Sequence, residues 1–279
     1  MQKLKHITIF ILLILTINSC EDKPQLPEEI KIAVTLPPFA DFVKNIVGVR
    51  AKIITLVPPG TNAHSYEPSP GDIKNLLNSD IYFSVGKSFK LEEIIFSKIK
   101  IDTSITKTID CSSGIEIINN DPHYWLSPKL VKTITQTILY EMINKYPMHK
   151  NYFTNNSKRF LHKLDSIDTK ISEMLLNKKE RTFLVYHPAW TYFAKDYNLN
   201  QFAVEHDGKA PKAEELKEFI DLAVKKNAKT IFFDPHFDNA SVKTIANSLN
   251  IKIESLDPLP VNFLKNLAEI GKKIDASLK

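Results

Sequence analysis

Strand-like and helix-like apolar patterns alternate along this chain from Ile30 almost to its end, and few architectures accommodate that rhythm. IKIAVTLP is followed by FADFVKNIV, AKIITLVP by a helical stretch from near Pro70 to Asn78, and then IYFSVG begins the cycle again. A short run rich in β-branched residues that hands over to a longer apolar period reads as a βα unit. A string of such units builds a parallel sheet covered by helices. A helical pattern from about Pro128 to Asn144, with Leu130, Ile134, Ile138 and Met142 four apart, closes this first series. The alternation resumes with TFLVYH, a helix over roughly Ala189 to Tyr197, NQFAVE, a helix from Ala213 to Lys226, KTIFFD, a helix after Asn239, IKIESL and a helix from Val261.

Between the two series, Phe160, Leu164, Ile167, Ile171 and Met174 recur at steps of three and four, with Lys158, Asp165 and Lys170 between them. This is the pattern of one long amphipathic helix, and it contains neither Gly nor Pro. The expected fold is α/β: two lobes with central parallel sheets, residues 30–150 and 180–279, joined by a linker helix over 151–179. A linker without a hinge residue predicts small lobe movements.

The chain opens with Lys3, Lys5 and His6, an apolar run from Ile7 to Ile17, then Asn18 and Ser19 before Cys20. That layout predicts a signal peptide over 1–19. The run falls short of the roughly 20 residues that a membrane span requires. Ile17-Asn18-Ser19-Cys20 resembles a bacterial lipobox, although Asn18 departs from the usual small residue there. Cys20 is therefore expected to carry a lipid and to begin a polar tether over 20–29. The expected location is an exported, membrane-anchored lipoprotein facing the periplasm or the outer surface.

Composition narrows the partners. The formal net charge of +5 is scattered, runs such as Lys178-Lys179-Glu180-Arg181 mix signs, and no basic stripe is interleaved with aromatics, so nucleic acid is not an expected partner. Apart from Cys20 the only cysteine is Cys111, which leaves no pair for a disulfide and reads as a small buried hydrophobe. The expected state is a monomer.

Four candidate metal donors stand where a strand pattern ends or just before a helix: His64 after IITLV and PPGTNA, His123 in DPHYWLSP, His187 ending TFLVYH, and Asp257 ending IKIESL. In open parallel sheets ligands bind outside the carboxyl ends of the strands, so these junctions face a crevice in each lobe and one shared cleft between the lobes. Three imidazoles and a carboxylate are donors that tetrahedral zinc accepts. A lone histidine at a strand end is more often a structural or surface group, and His236 in FDPHFD is a rival of the same kind. His149 and His162 read as surface residues, and His206 as an exposed loop residue.

The strings HSYEPSP, DPHYWLSP, YHPAWTYFAKDYNL, EHDGKAPK and LDPLP, in this order, resemble the zinc/manganese solute-binding lipoproteins of ABC transporters. The resemblance implies a metal site in the interlobe cleft formed by His64, His123, His187 and Asp257, one divalent ion as cargo, Zn2+ before Mn2+, and delivery to a permease with its ATPase. Manganese carriers of this type often have Glu where this chain has His187, and imidazole favours the later first-row metals. The His-rich loop of many zinc-specific members is absent from Cys111 to Asn120, so a manganese or mixed receptor stays open. Glu67 reads as a carboxylate that orients the loop or His64. Trp125 and Trp190 read as packing that shields the site from water. A surface adhesin with structural metal and a zinc hydrolase are the alternatives of other classes. With no HExxH motif and with Asp257 in the fourth position, no enzyme is expected.

Overall fold

The computed structural model describes residues 29–205, 212–237 and 240–278. The expected signal peptide, Cys20, most of the tether and His206 lie outside the described residues.

The first lobe strings together β1 (Ile30–Val34), α1 (Pro37–Val47), β2 (Ala51–Thr55), α2 (Pro70–Leu77), β3 (Ile81–Ser84), α3 (Lys90–Lys98), β4 (Lys107–Asp110) and α4 (Pro128–Lys145). Its helices start where the sequence offers a start. Pro occupies the first turn of α1, α2 and α4, where no amide needs a partner, and Ser69 forms a capping box with Asp72 ahead of α2. α5 (Lys150–Leu175) follows after a short 3-10 turn. The second lobe comprises β5 (Thr182–Val185), α6 (Thr191–Asp196), β6 (Asn200–Ala203), α7 (Ala213–Lys225), β7 (Thr230–Phe233), α8 (Ala240–Leu249), β8 (Lys252–Ser255) and α9 (Phe263–Ser277).

Both sheets are parallel, with strand orders β2-β1-β3-β4 and β6-β5-β7-β8. The second is the first repeated position by position. Ile32 lies beside Ile53 and Ile81, and Leu184 beside Phe202 and Ile231. The order reverses between β1 and β3, and again between β5 and β7, so each lobe has a switch point where loops diverge and leave a crevice.

Two elements escaped the sequence reading. β4 is four residues long with one apolar member, Ile109, and α3 leaves Ile94 and Phe96 partly exposed, so neither shows a clean period.

One apolar core extends from the first sheet through the linker into the second lobe: Ile32, Phe39, Phe42 and Phe83 are continuous with Phe160, Leu164 and Ile171 of α5 and with Phe193, Phe263 and Ile270. Phe42 meets Phe263 edge-on at 4.9 Å, with Phe160 on its other side at 6.1 Å. A smaller core of Leu184, Val204, Phe219 and Ile231 fills the far side of the second sheet. α9 packs on α5 at Gly271, where an added Cβ would lie 2.5 Å from Cγ1 of the buried Ile171.

That contact yields a prediction with a sign. Helix propensity alone favours Gly271→Ala by about 1 kcal/mol. Overpacking against a β-branched neighbour costs about 1–3 kcal/mol. The variant is expected to melt at a lower temperature than the wild type in a thermal unfolding scan, and a higher melting temperature would show that α9 stands off α5.

Candidate metal centre

Every candidate donor lies in a loop at the carboxyl end of a strand, and each is aimed by a local hydrogen bond. After β2 the chain is held to β1 by Leu56 and Val57, whose N–H groups donate to the carbonyls of Val34 and Thr35. It then turns through Pro58-Pro59-Gly60, and Asn62 Oδ1 accepts the N–H of His64 at 2.9 Å. After β4, Asp121 Oδ1 accepts both the N–H of His123 at 2.9 Å and its Nδ1 at 2.6 Å. A carboxylate on Nδ1 makes that nitrogen the donor and leaves Nε2 as the free lone pair. His187, following β5, is treated likewise by the buried Glu205 at the end of β6, with Nδ1 and Oε1 3.3 Å apart.

The three rings converge across the cleft. Their centroids are 5.7 Å apart for His64 and His123, 4.9 Å for His64 and His187, and 5.2 Å for His123 and His187. One nitrogen from each lies within 4.8 Å of the others. Around a tetrahedral zinc with bonds of about 2.0–2.1 Å, donors stand about 3.4 Å apart, so a small inward movement completes the shell. His187 Nε2 is buried and has no hydrogen-bond partner. Leaving such an atom unmatched costs about 1–3 kcal/mol, which a bound ligand would recover.

Asp257 stands apart from this trio. Its Oδ1 accepts the N–H of Leu259 at 2.8 Å and lies 3.8 Å from His236 Nδ1. Asp234, at the end of β7, lines the same pocket as His64 and His123. The pocket has about 10 Å3, the room of one water-sized sphere, and Phe89, Trp125, Phe237, Pro258 and Leu259 complete its wall. Trp125 lies 5.2 Å from the His123 ring, as the shielding role requires. Trp190 instead meets Phe193.

Glu67 is exposed and forms none of the hydrogen bonds among the described residues. The backbone of His64 is oriented by Asn62, and the carboxylates hydrogen-bonded to histidine rings among the described residues are Asp121, Glu205 and Asp234. Sequence reasoning missed these. Asp121-Pro122-His123 and Asp234-Pro235-His236 are the same tripeptide with the same pair of hydrogen bonds, Asp Oδ1 taking the N–H and Nδ1 of the histidine two residues on. That repeat was visible and marks both carboxylates. Phe237 gave no signal, yet its ring stacks on His187 at 5.0 Å and 27°.

Electrostatics favours an unprotonated His64. Although His64 is partly open to solvent, desolvation by the surrounding protein lowers its pKa to about 4, helped by the like charges of His123 and His187 and opposed by Asp234 and Asp121. Burial raises Asp257, and the Asp234 hydrogen bond raises His236. A ring that resists protonation keeps its lone pair available to a cation.

The sequence matches a family described as zinc-uptake complex component A, periplasmic, over residues 32–274. A solved structure titled as that of ZnuA superposes with a TM-score of 0.85 at 33% identity, covering 90% of this chain and 99% of that one. A zinc-binding lipoprotein, AdcA of Streptococcus pneumoniae, is 26% identical over 86% of this chain. This chain spans about half of that relative, 52% of its length. A manganese ABC transporter substrate-binding lipoprotein, PsaA of Streptococcus anginosus, is 24% identical over 99% of this chain and 94% of its own.

For the metal-free protein the lowered pKa of His64 fixes a sign. Between about 4 and 6.5 the unfolded chain binds the His64 proton and the folded one does not, so stability rises with pH through that window and falls on acidification. Ring resonances of His64 are expected to titrate near pH 4 by NMR. A His64 midpoint near 6.5 would refute the close approach of the His123 and His187 rings to His64.

Proposed function

Because the chain belongs to the family of periplasmic zinc-uptake complex component A proteins, we propose that it captures a divalent transition metal, zinc foremost, and delivers it to the permease of an ABC importer. The observation that carries this reading is the meeting of three imidazole nitrogens from two lobes, one of them buried without a partner. His64, His123 and His187 are the proposed nitrogen ligands. Asp257 is the proposed fourth, swinging from Leu259 and His236 as the ion arrives.

Three nitrogens with one carboxylate suit zinc better than the oxygen-rich shells that manganese prefers. The likeness to a manganese lipoprotein supports a mixed receptor as the second reading. The size of the pocket supports capture rather than catalysis: beside His64 and His123 it offers about 10 Å3. We further propose that Cys20 is acylated and tethers the protein to a membrane, with the cleft facing away from the cytoplasm. Labelling with a fatty-acid analogue is expected to tag the wild type and not Cys20→Ser, and equal labelling would remove the anchor.

Titration calorimetry with zinc is expected to show one site. His64→Ala, His123→Ala and His187→Ala should each weaken it by more than the 10–100-fold typical of losing an orienting partner. Glu205→Gln, which only loosens the orientation of His187, should fall within that range, and His149→Ala should change nothing. Wild-type affinity in His187→Ala would overturn the assignment.

A further inference from the structure

Two helices leave the metal cleft immediately after donor-bearing segments. α4 starts at Ser127, just past His123-Tyr124-Trp125, and α9 starts at Asn262, just past Asp257-Pro258. A helix start exposes unpaired N–H groups and favours negative charge, yet neither helix has an acidic residue in its first turn. Each receives its carboxylate from the opposite lobe.

At α4, Ser127 Oγ accepts the N–H of Leu130 at 3.0 Å and donates to Asp196 Oδ2 at 2.5 Å. The same oxygen takes the N–H of Lys129 at 3.4 Å, while Lys129 Nζ donates to the Asp196 carbonyl at 3.1 Å. Pro128 has no N–H to satisfy. Asp196 ends α6 of the second lobe, and its side chain is 11% exposed. At α9 the direction reverses. Asp41, on α1 of the first lobe, accepts the N–H of Phe263 at 2.9 Å while Asn262 Oδ1 takes that of Lys265 at 3.1 Å. Between the two, Trp125 Nε1 donates to the Pro258 carbonyl at 2.8 Å. Burial raises the pKa of both Asp41 and Asp196, as expected of carboxylates enclosed by an interface.

We propose that Asp41 and Asp196 are positioning residues for metal binding: a reciprocal pair of helix caps, each lobe capping the other, that holds His123 in register with His187. The proposal rests on the metal-capture reading. Neither residue touches the ion. Each acts on the segment that presents a donor, so losing a cap raises the population of open clefts and lets metal leave sooner.

The test is the zinc dissociation rate under excess chelator, measured on the full folded protein. Asp41→Ala and Asp196→Ala are expected to release zinc about fivefold to tenfold faster, the size of a lost helix cap. Asp41→Asn and Asp196→Asn keep an acceptor oxygen and should recover most of the wild-type rate. Ser127→Ala removes both the hydroxyl donor to Asp196 and the cap acceptor for the Leu130 N–H, and should accelerate release by a comparable factor, which keeps the test available if an alanine variant at Asp196 does not fold. Phe219→Leu, in the separate core of the second lobe, controls for stability: it should lower the melting temperature and leave the rate unchanged. The proposal fails if the alanine variants release zinc at the wild-type rate, if Asn does not rescue, or if Phe219→Leu accelerates release as much at an equal loss of melting temperature. A wild type that binds no metal would instead overturn the capture reading, so the two failures are distinguishable.

Discussion

Imidazoles carried by two separate sheets can share one ion only while those sheets keep a fixed relation, and the apolar core through α5 imposes it. Phe42, Phe160 and Phe263 come from the first lobe, the linker and the second lobe and meet as one aromatic cluster. Separating the lobes would expose these rings to water, and each buries 150–250 Å2. α5 lacks Gly and Pro, and α9 sits so close against it that a Cβ at Gly271 would meet Ile171. The metal cleft is therefore the mouth of a shared core more than a gap between two independent bodies.

Within that frame the site stores unfavourable polarity. His123 and His187 are held close enough to His64 to oppose its protonation, and one buried nitrogen has no partner. Such an arrangement persists because Asp121 and Glu205 fix the ring orientations from behind and the surrounding core supplies the stability. The unmatched groups are those a cation would satisfy, so the driving force for binding is built into the folded chain before any ion arrives.

Much of this was legible in the amino-acid order. The βα rhythm located both sheets, and the gap-free amphipathic run located α5, because both depend on local periods that burial enforces. His64, His123 and His187 were legible as strand-end residues. Their convergence was not, since it depends on how the lobes dock, and no two of them are neighbours in sequence. Asp257 showed the same strand-end signal as the histidines, yet here its carboxylate turns toward Leu259 and His236. The Asp-Pro-His tripeptide occurs twice with one geometry, and only tertiary placement separates His123 in the trio from His236 beside it. Glu67 looked like an orienting acid from its motif, but solvent exposure leaves that task to Asn62.

The tightness of the pocket has a consequence in time. A first-row dication arrives in water wearing a full hydration shell, and a space of about 10 Å3 admits the ion but not the shell. Under the metal-capture reading, the ion would exchange its waters for ring nitrogens or a carboxylate oxygen during entry. The rate at which an ion surrenders its waters therefore becomes part of its selection. Under the same reading, magnesium, which dehydrates reluctantly and prefers to keep several waters, would be disfavoured by its slow dehydration as well as by donor chemistry.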